Sequence, residues 1–163
     1  MTQPFSHRGL RVYLSGGMEY AENEGRDWRA QVQDWLKHEL ASSVFNPNEE
    51  SQKFFTAHFP GIDFRALKHT EPARFQEIVR QLVDLDCREI AERSNYLICY
   101  WDSGAMRGAG TKGELTMARY FGKPVYLVTS IAFRDIPGWV LGCTDKIFSG
   151  FDQLKKFLLS TTL

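Results

Sequence analysis

Two carboxylates, Glu114 and Asp86, have the type and placement for covalent or acid–base chemistry. Glu114 stands in the stretch Trp101-Asp102-Ser103-Gly104-Ala105-Met106-Arg107-Gly108-Ala109-Gly110-Thr111-Lys112-Gly113-Glu114-Leu115. That stretch runs from the end of an apolar segment through glycines into a helical pattern, so its backbone can approach a ligand closely and the first-turn N–H groups point outward. Asp86 follows Ile78 and Leu82 and precedes Ile90 at steps of four, so it shares a helix face with three core-type residues. Asp84 lies about 200° around the same helix and faces water. A carboxylate on an apolar stripe is costly unless it is paired or used. Two carboxylates converging on one pocket suit glycosidic chemistry, in which one attacks or stabilises an anomeric carbon and the other handles the leaving group's proton.

Other readings of the same residues stay open at this level. Gly108-Ala109-Gly110-Thr111-Lys112-Gly113 matches Gly-x-Gly-x-x-Gly, but residues 102–107 separate it from the preceding strand, where a dinucleotide fingerprint needs a tight turn. The following strand, ending in Thr129-Ser130, carries no acid for a ribose hydroxyl. Thr111-Lys112-Gly113-Glu114 also reads as a capping box, with Thr111 at the N-cap and Glu114 folding back onto its amide. Asp86, for its part, can equally sit at the edge of its stripe and cap a neighbouring loop.

The elements that must position these residues alternate along the chain. A strand over 11–15 stops at Gly16-Gly17, and a helix over 25–40 follows with Trp28, Val32, Trp35 and Leu36 on one face. A short strand at 44–45 ends at Asn46-Pro47-Asn48. Residues 47–72 read as a long irregular connection carrying Phe54, Phe55, Phe59 and Phe64, of the length that is usually functional. The pattern then predicts a helix over 74–93, a strand over 95–101, a helix over 111–121 closed by Gly122-Lys123-Pro124, strands over 125–129 and 146–148, and a helix over 152–159. Strands separated by helices imply a parallel sheet covered on both faces, with the ligand at the carboxyl ends of the strands. That rule gathers Ser15-Gly16-Gly17, Asn46-Pro47 and the segment after Trp101 into one site.

The 163 residues suit a single domain over 1–163. Lysine plus arginine and aspartate plus glutamate are equal at 20 each, so no positive surplus points to nucleic acid or to an anionic membrane, and the ligand is expected to be small. No apolar run reaches the ~20 residues of a membrane span and the first residues lack a signal-peptide pattern, so the chain reads as soluble and cytoplasmic. Cys87, Cys99 and Cys143 fit neither a disulfide framework nor a zinc pair, and the four histidines stand singly. No metal and no cofactor are expected.

Val12-Tyr13-Leu14-Ser15-Gly16-Gly17, then Asp86-x-x-x-Ile90 before Ser94-Asn95-Tyr96-Leu97-Ile98, then Gly110-Thr111-x-x-Glu114-Leu115 and Gly122-Lys123-Pro124-Val125, together resemble the nucleoside 2-deoxyribosyltransferases. These share a superfamily with the 2'-deoxynucleoside 5'-monophosphate N-glycosidases. The resemblance implies an α/β, flavodoxin-like three-layer sandwich with a five-stranded, mainly parallel sheet, in a homo-oligomer whose sites are completed across subunits. It implies that Glu114 attacks C1' of a deoxyribose and holds it covalently, that Asp86 faces the base and assists its departure, and that Tyr13 orients Glu114 through its hydroxyl. Ser15, Gly16, Gly17, Asp102, Gly110 and Thr111 are the implied substrate-binding positions, Asp102 as a second base-contacting aspartate. The chain departs from the pattern in places. One extra residue separates Asp86 from Asn95, Asp145 stands about where the transferases carry an Asn that reaches a neighbouring subunit, and Gly17 and Glu19 replace the Ser and Arg that hold a 5'-phosphate in the nucleotide hydrolases. The implied reaction is cleavage or transfer of a deoxynucleoside N-glycosidic bond. The alternatives are hydrolysis of a deoxynucleoside monophosphate, with Arg107 and Lys112 near its phosphate, and a non-catalytic nucleotide-binding domain.

Overall fold

The structure, a computed structural model, describes residues 6–160. Its strands are short and their centres apolar, as strands covered on both faces require. They are β1 (Arg11–Gly16), β2 (Ser43–Phe45), β3 (Tyr96–Tyr100), β4 (Val125–Val128) and β5 (Lys146–Phe148), in the order β2-β1-β3-β4-β5, and every pairing is parallel. This is the flavodoxin-like order with helices on both faces. The sheet expected to be mainly parallel is wholly so.

Side-chain alternation along β1 divides it between the two layers. Val12 and Leu14 join Leu36, Ile98 and Leu158 under α1 (Arg26–Leu40) and α8 (Phe151–Ser160). Tyr13 belongs to the opposite layer with Leu97, Trp101 and Leu115, on the side of α6 (Gly110–Tyr120). Ser15, two residues on, faces the same way, so β1 presents two hydroxyls to α6.

Residues 47–72 are not an irregular connection. They fold into α2 (Pro47–His58) and α3 (Phe64–Thr70), and α4 (Pro72–Arg88) follows directly. The Pro and Asn residues that read as breaks are helix starts. Asn46 caps α2 by accepting from the Asn48 N–H at 3.1 Å, with Pro47 in the first turn, and Asp63 caps α3 by accepting from the Ala66 N–H at 3.2 Å. Two further short helices, α5 (Ser103–Arg107) and α7 (Gly138–Gly142), were also hidden from periodicity by their length.

The end of α4 passes into a π turn, Glu89–Arg93. Such a turn accommodates one residue more than the α-helix does. It lies beyond Asp86, so it leaves the position of Asp86 on its face of α4 unchanged. The turn is pinned by the buried Glu89, which pairs with Arg11 at 2.5 Å and accepts from the Ser94 hydroxyl at 3.1 Å.

Candidate active site

The chain crosses from β2 to β3 over β1, which makes the carboxyl ends of β1 and β3 the switch point of the sheet. There Ser15 is in register with Cys99 and Gly16 with Tyr100. A cavity of about 1210 Å³ opens at this point, walled by the end of β1, the first turns of α6, and α2, α3 and α4. Glu114, Asp86, Gly16, Gly17, Gly110 and Thr111 all line it.

Glu114 is not part of a capping box. Ala109 occupies the N-cap of α6 with no side-chain bond, and Thr111 is buried within the first turn. The Glu114 carboxylate instead reaches across to β1. Its Oε1 accepts from the Tyr13 hydroxyl at 2.9 Å and its Oε2 from the Ser15 hydroxyl, so both oxygens are held by donors from one strand face. The two-residue period of β1 sets the donors side by side, and the rigid sheet centre fixes them.

Asp86 projects from α4 into the same cavity, half-buried, while Asp84 is exposed. Burial and the neighbouring Glu114 charge push the Asp86 carboxyl up to about 8, against the opposing pull of Tyr13 and Arg29. Burial also raises Glu114, but Ser15, the Arg29 charge and Tyr13 all favour its ionised form. Two carboxyls so close cannot both ionise freely. Burial favours the protonated form of both carboxyls, and at Glu114 the two hydroxyls and the Arg29 charge pull the other way. Burial and these two acids raise Tyr13 well above an ordinary phenol, which keeps it a donor.

Arg29 was missed by the helix face chosen from Trp28, Val32, Trp35 and Leu36. The buried face of α1 instead carries Arg29, Val32, Gln33, Leu36 and Leu40, a spacing that was available in the sequence. Arg29 is 1% exposed. Its guanidinium donates to the carbonyls of Leu14, Gly16, Gly17, Glu24 and Gly25 and to Asn48 Oδ1, at 2.8 to 3.4 Å. It thereby gathers the loop after β1 and the start of α2 around one buried positive charge, which Glu114 offsets electrostatically.

The glycines after β1 serve close packing. A Cβ on Gly17 would lie 2.7 Å from the Ala105 amide nitrogen, and Gly25 adopts φ +68° where its own Cβ would meet the Gly17 carbonyl at 2.6 Å. Asp102 does not line the cavity. Its carboxylate caps α5 by accepting from the Ala105 N–H at 2.8 Å. Asp145 accepts from the Val125 N–H at 2.8 Å, at the amino end of β4, the end of the sheet opposite the cavity. Lys112 donates to the Met106 carbonyl at 2.7 Å, and Arg107 lies 4.3 Å over the Tyr20 ring.

Other charges line the cavity, three cations against two carboxylates. Lys68 meets Glu19 at 2.5 Å, while Arg26 and Arg65 share Glu24 at 2.7 and 3.1 Å. Sequence spacing did not reveal this set, because α3 supplies Arg65 and Lys68 from within the segment taken for a loop.

No protein-family model and no curated protein matches the sequence. Solved structures do share the fold. A 2-deoxyribosyltransferase from the psychrotolerant bacterium Bacillus psychrosaccharolyticus aligns with a TM-score of 0.61 and 16% identity, over 93% of this chain and 95% of that one. A CMP N-glycosidase from Clostridium botulinum aligns with a TM-score of 0.50 and 17% identity, over 92% of this chain and 98% of that one. At these identities the likeness is one of fold.

Proposed function

We propose that this protein cleaves the N-glycosidic bond of a 2'-deoxyribonucleoside through a deoxyribosyl ester on Glu114, and passes the sugar to a second base or to water. The carrying observation is the different setting of two carboxyls on one cavity: Glu114 gripped by the Tyr13 and Ser15 hydroxyls, which favour its ionised form, and Asp86 pushed up to about 8. That is the pairing of nucleophile and acid which glycosidic cleavage requires. The two solved neighbours, a deoxyribosyltransferase and an N-glycosidase, support the reading.

In the first step a Glu114 oxygen forms a bond to C1' as the C1'–N bond breaks, and its electron pair goes to the base nitrogen. The Asp86 carboxyl donates its proton to the leaving base. In the second step a nitrogen of an incoming base, or a water oxygen, attacks C1' and displaces the Glu114 carboxylate, while the nucleophile's proton returns to Asp86. Tyr13 and Ser15 hold the attacking carboxylate in one rotamer throughout, which limits the ordering cost of reaching the transition state.

The charges lining the cavity favour a substrate without a 5'-phosphate, since each cation there already meets a carboxylate, Arg26 and Arg65 sharing Glu24. The test is to incubate the protein with a panel of deoxynucleosides and deoxynucleotides, with and without a second free base, and to follow released and exchanged base. Base release or exchange from a deoxynucleoside is expected, and its absence across the panel would contradict the reading.

A further inference from the structure

The cavity is larger than the roughly 300–1,000 Å³ usual for a small-molecule site, and its far end differs from the end that holds the carboxylates. Two helices form its long walls, each through one face. α4 contributes Phe75, Val79, Leu82 and Asp86, and α2 contributes Asn48, Gln52 and Phe55, with Phe59 at its C-cap. Along α4 the lining runs from Asp86 through Leu82 and Val79 to Phe75, and from the start of α2 it runs from Asn48, Ser51 and Gln52 to Phe55 and Phe59, with Thr56 between those two in sequence. Asp86 lies eleven residues beyond Phe75 in α4, about 16 Å along the helix axis, well past the reach of a two-ring purine seated at Asp86.

The far end is a built aromatic wall. The Phe55 and Phe64 rings lie 4.9 Å apart, and Phe64 stacks on Phe75 at 4.9 Å with 22° between the planes, so three helices contribute to one continuous surface. Phe55, Phe59, Phe64 and Phe75 all line the cavity, each only partly buried, and none belongs to either hydrophobic core cluster of the described residues. Arg65 and Lys68 sit over the Phe64 and Phe75 rings at 5.4 and 5.8 Å, which steadies the wall. Apolar surface of this extent, continuous with a polar site, is the pattern of a ligand-binding groove.

Resting on the proposed reaction, with the base at Asp86, we infer that the aromatic end is a substituent compartment: the leaving base of the preferred substrate carries an aromatic or other apolar arm. The arm follows α4 from Asp86 past Leu82 and Val79 and stacks on Phe64 and Phe75. Continuity of the cavity from Asp86 to Phe75 selects an arm on the base as the occupant.

The test is calorimetric binding of free bases, which needs no turnover: adenine against N6-(2-phenylethyl)adenine, and cytosine against N4-(2-phenylethyl)cytosine. In at least one pair the substituted base is expected to bind tenfold tighter or more. Phe64→Ala should abolish that margin while leaving the affinity for the unsubstituted base unchanged. Phe64→Leu keeps most of the packing volume, and serves should the alanine variant not fold. Equal or weaker binding of both substituted bases, as when a second copy of the chain fills the compartment, overturns the inference, and so does a margin that survives in a folded Phe64 variant. Parallel release of base from the unsubstituted deoxynucleosides separates the two ideas. Release without any binding margin sinks the compartment alone, and a margin without release from any nucleoside sinks the proposed reaction alone.

Discussion

The Tyr13 hydroxyl donates to Glu114 Oε1 at 2.9 Å across 101 residues of sequence, from the centre of a buried strand to the first turns of a helix on the neighbouring element. Tyr13 is itself fully buried and stacks on Phe45 at 5.0 Å, so the donor cannot follow the carboxylate if that moves. The bond lowers the pKa of Glu114. Tyr13→Phe removes it and raises that pKa, so the acid limb of the kcat/KM profile should move to higher pH and kcat should fall by about 10- to 100-fold. The melting temperature should change little, because the ring and its stacking remain. An unmoved acid limb in the folded variant would show that Tyr13 does not tune Glu114.

Asp86 supplies the opposite limb. Its folded carboxyl titrates at about 8, so the proton needed for the leaving base is present below that pH and lost above it. Activity should therefore decline above pH 8, and Asp86→Asn should depress kcat and abolish that decline. Asp84→Asn, on the exposed side, should do neither. The same shift makes stability fall with rising pH: the folded state binds the proton more tightly than the unfolded chain, so Asp86 contributes stability that is full below about pH 4 and lost progressively toward pH 8. Asp86→Asn should accordingly melt higher than the wild type at pH 8, and a lower melting temperature there would contradict the assigned burial.

Arg29 is predicted to be a structural centre of the site. Replacement by Lys keeps the charge and loses the planar fork that reaches five carbonyls, leaving several buried acceptors unpaired. Arg29→Lys should cost about 3 kcal/mol in unfolding free energy, from the range for breaking a buried charged network. It should also lower kcat, because the loop after β1 and Asn48 lose their common anchor. A variant as stable as the wild type by denaturant titration would refute this role.

How much of this arrangement could be read from the chain depended on whether a local period carried it. The fold was legible because each strand is a short apolar run between helical patterns, and Asp86 was legible because Ile78, Leu82 and Ile90 fix its phase. The partners of Glu114 could not be derived from the capping pattern, which pointed to Thr111; the link to Tyr13 came only by resemblance, and its geometry depends on strand register. Arg29 is not legible because a charged residue on a core face runs against the hydrophobic pattern, although Val32, Leu36 and Leu40 share its spacing. The helices α2 and α3 are masked because Pro47 and the Gly61 turn read as loop signals, although Asn46 and Asp63 cap the helices that follow them.

The charges lining the cavity lead to a substrate preference. Lys68 already meets Glu19, Arg26 and Arg65 both meet Glu24, and Lys112 is turned to the Met106 carbonyl, so a phosphate dianion would approach cations already held by two carboxylates that repel it. At fixed ionic strength, kcat/KM for deoxyadenosine should exceed that for its 5'-monophosphate by about tenfold or more, the effect of roughly 1.4 kcal/mol, and a pyrimidine pair should behave alike. A clear preference for the monophosphates would instead make Arg65 and Lys68 phosphate ligands.

The central claim is that Glu114 attacks the sugar, and the most direct measurement is base release by Glu114→Gln with the substrate the wild type turns over. The amide is isosteric: its oxygen accepts from one of the Tyr13 and Ser15 hydroxyls and its NH2 donates to the oxygen of the other, so the variant should fold with a melting temperature near that of the wild type. It cannot form the glycosyl ester as a carboxylate does, and turnover should fall by about a thousandfold or more. Turnover within a few-fold of the wild type in the folded variant would contradict the account.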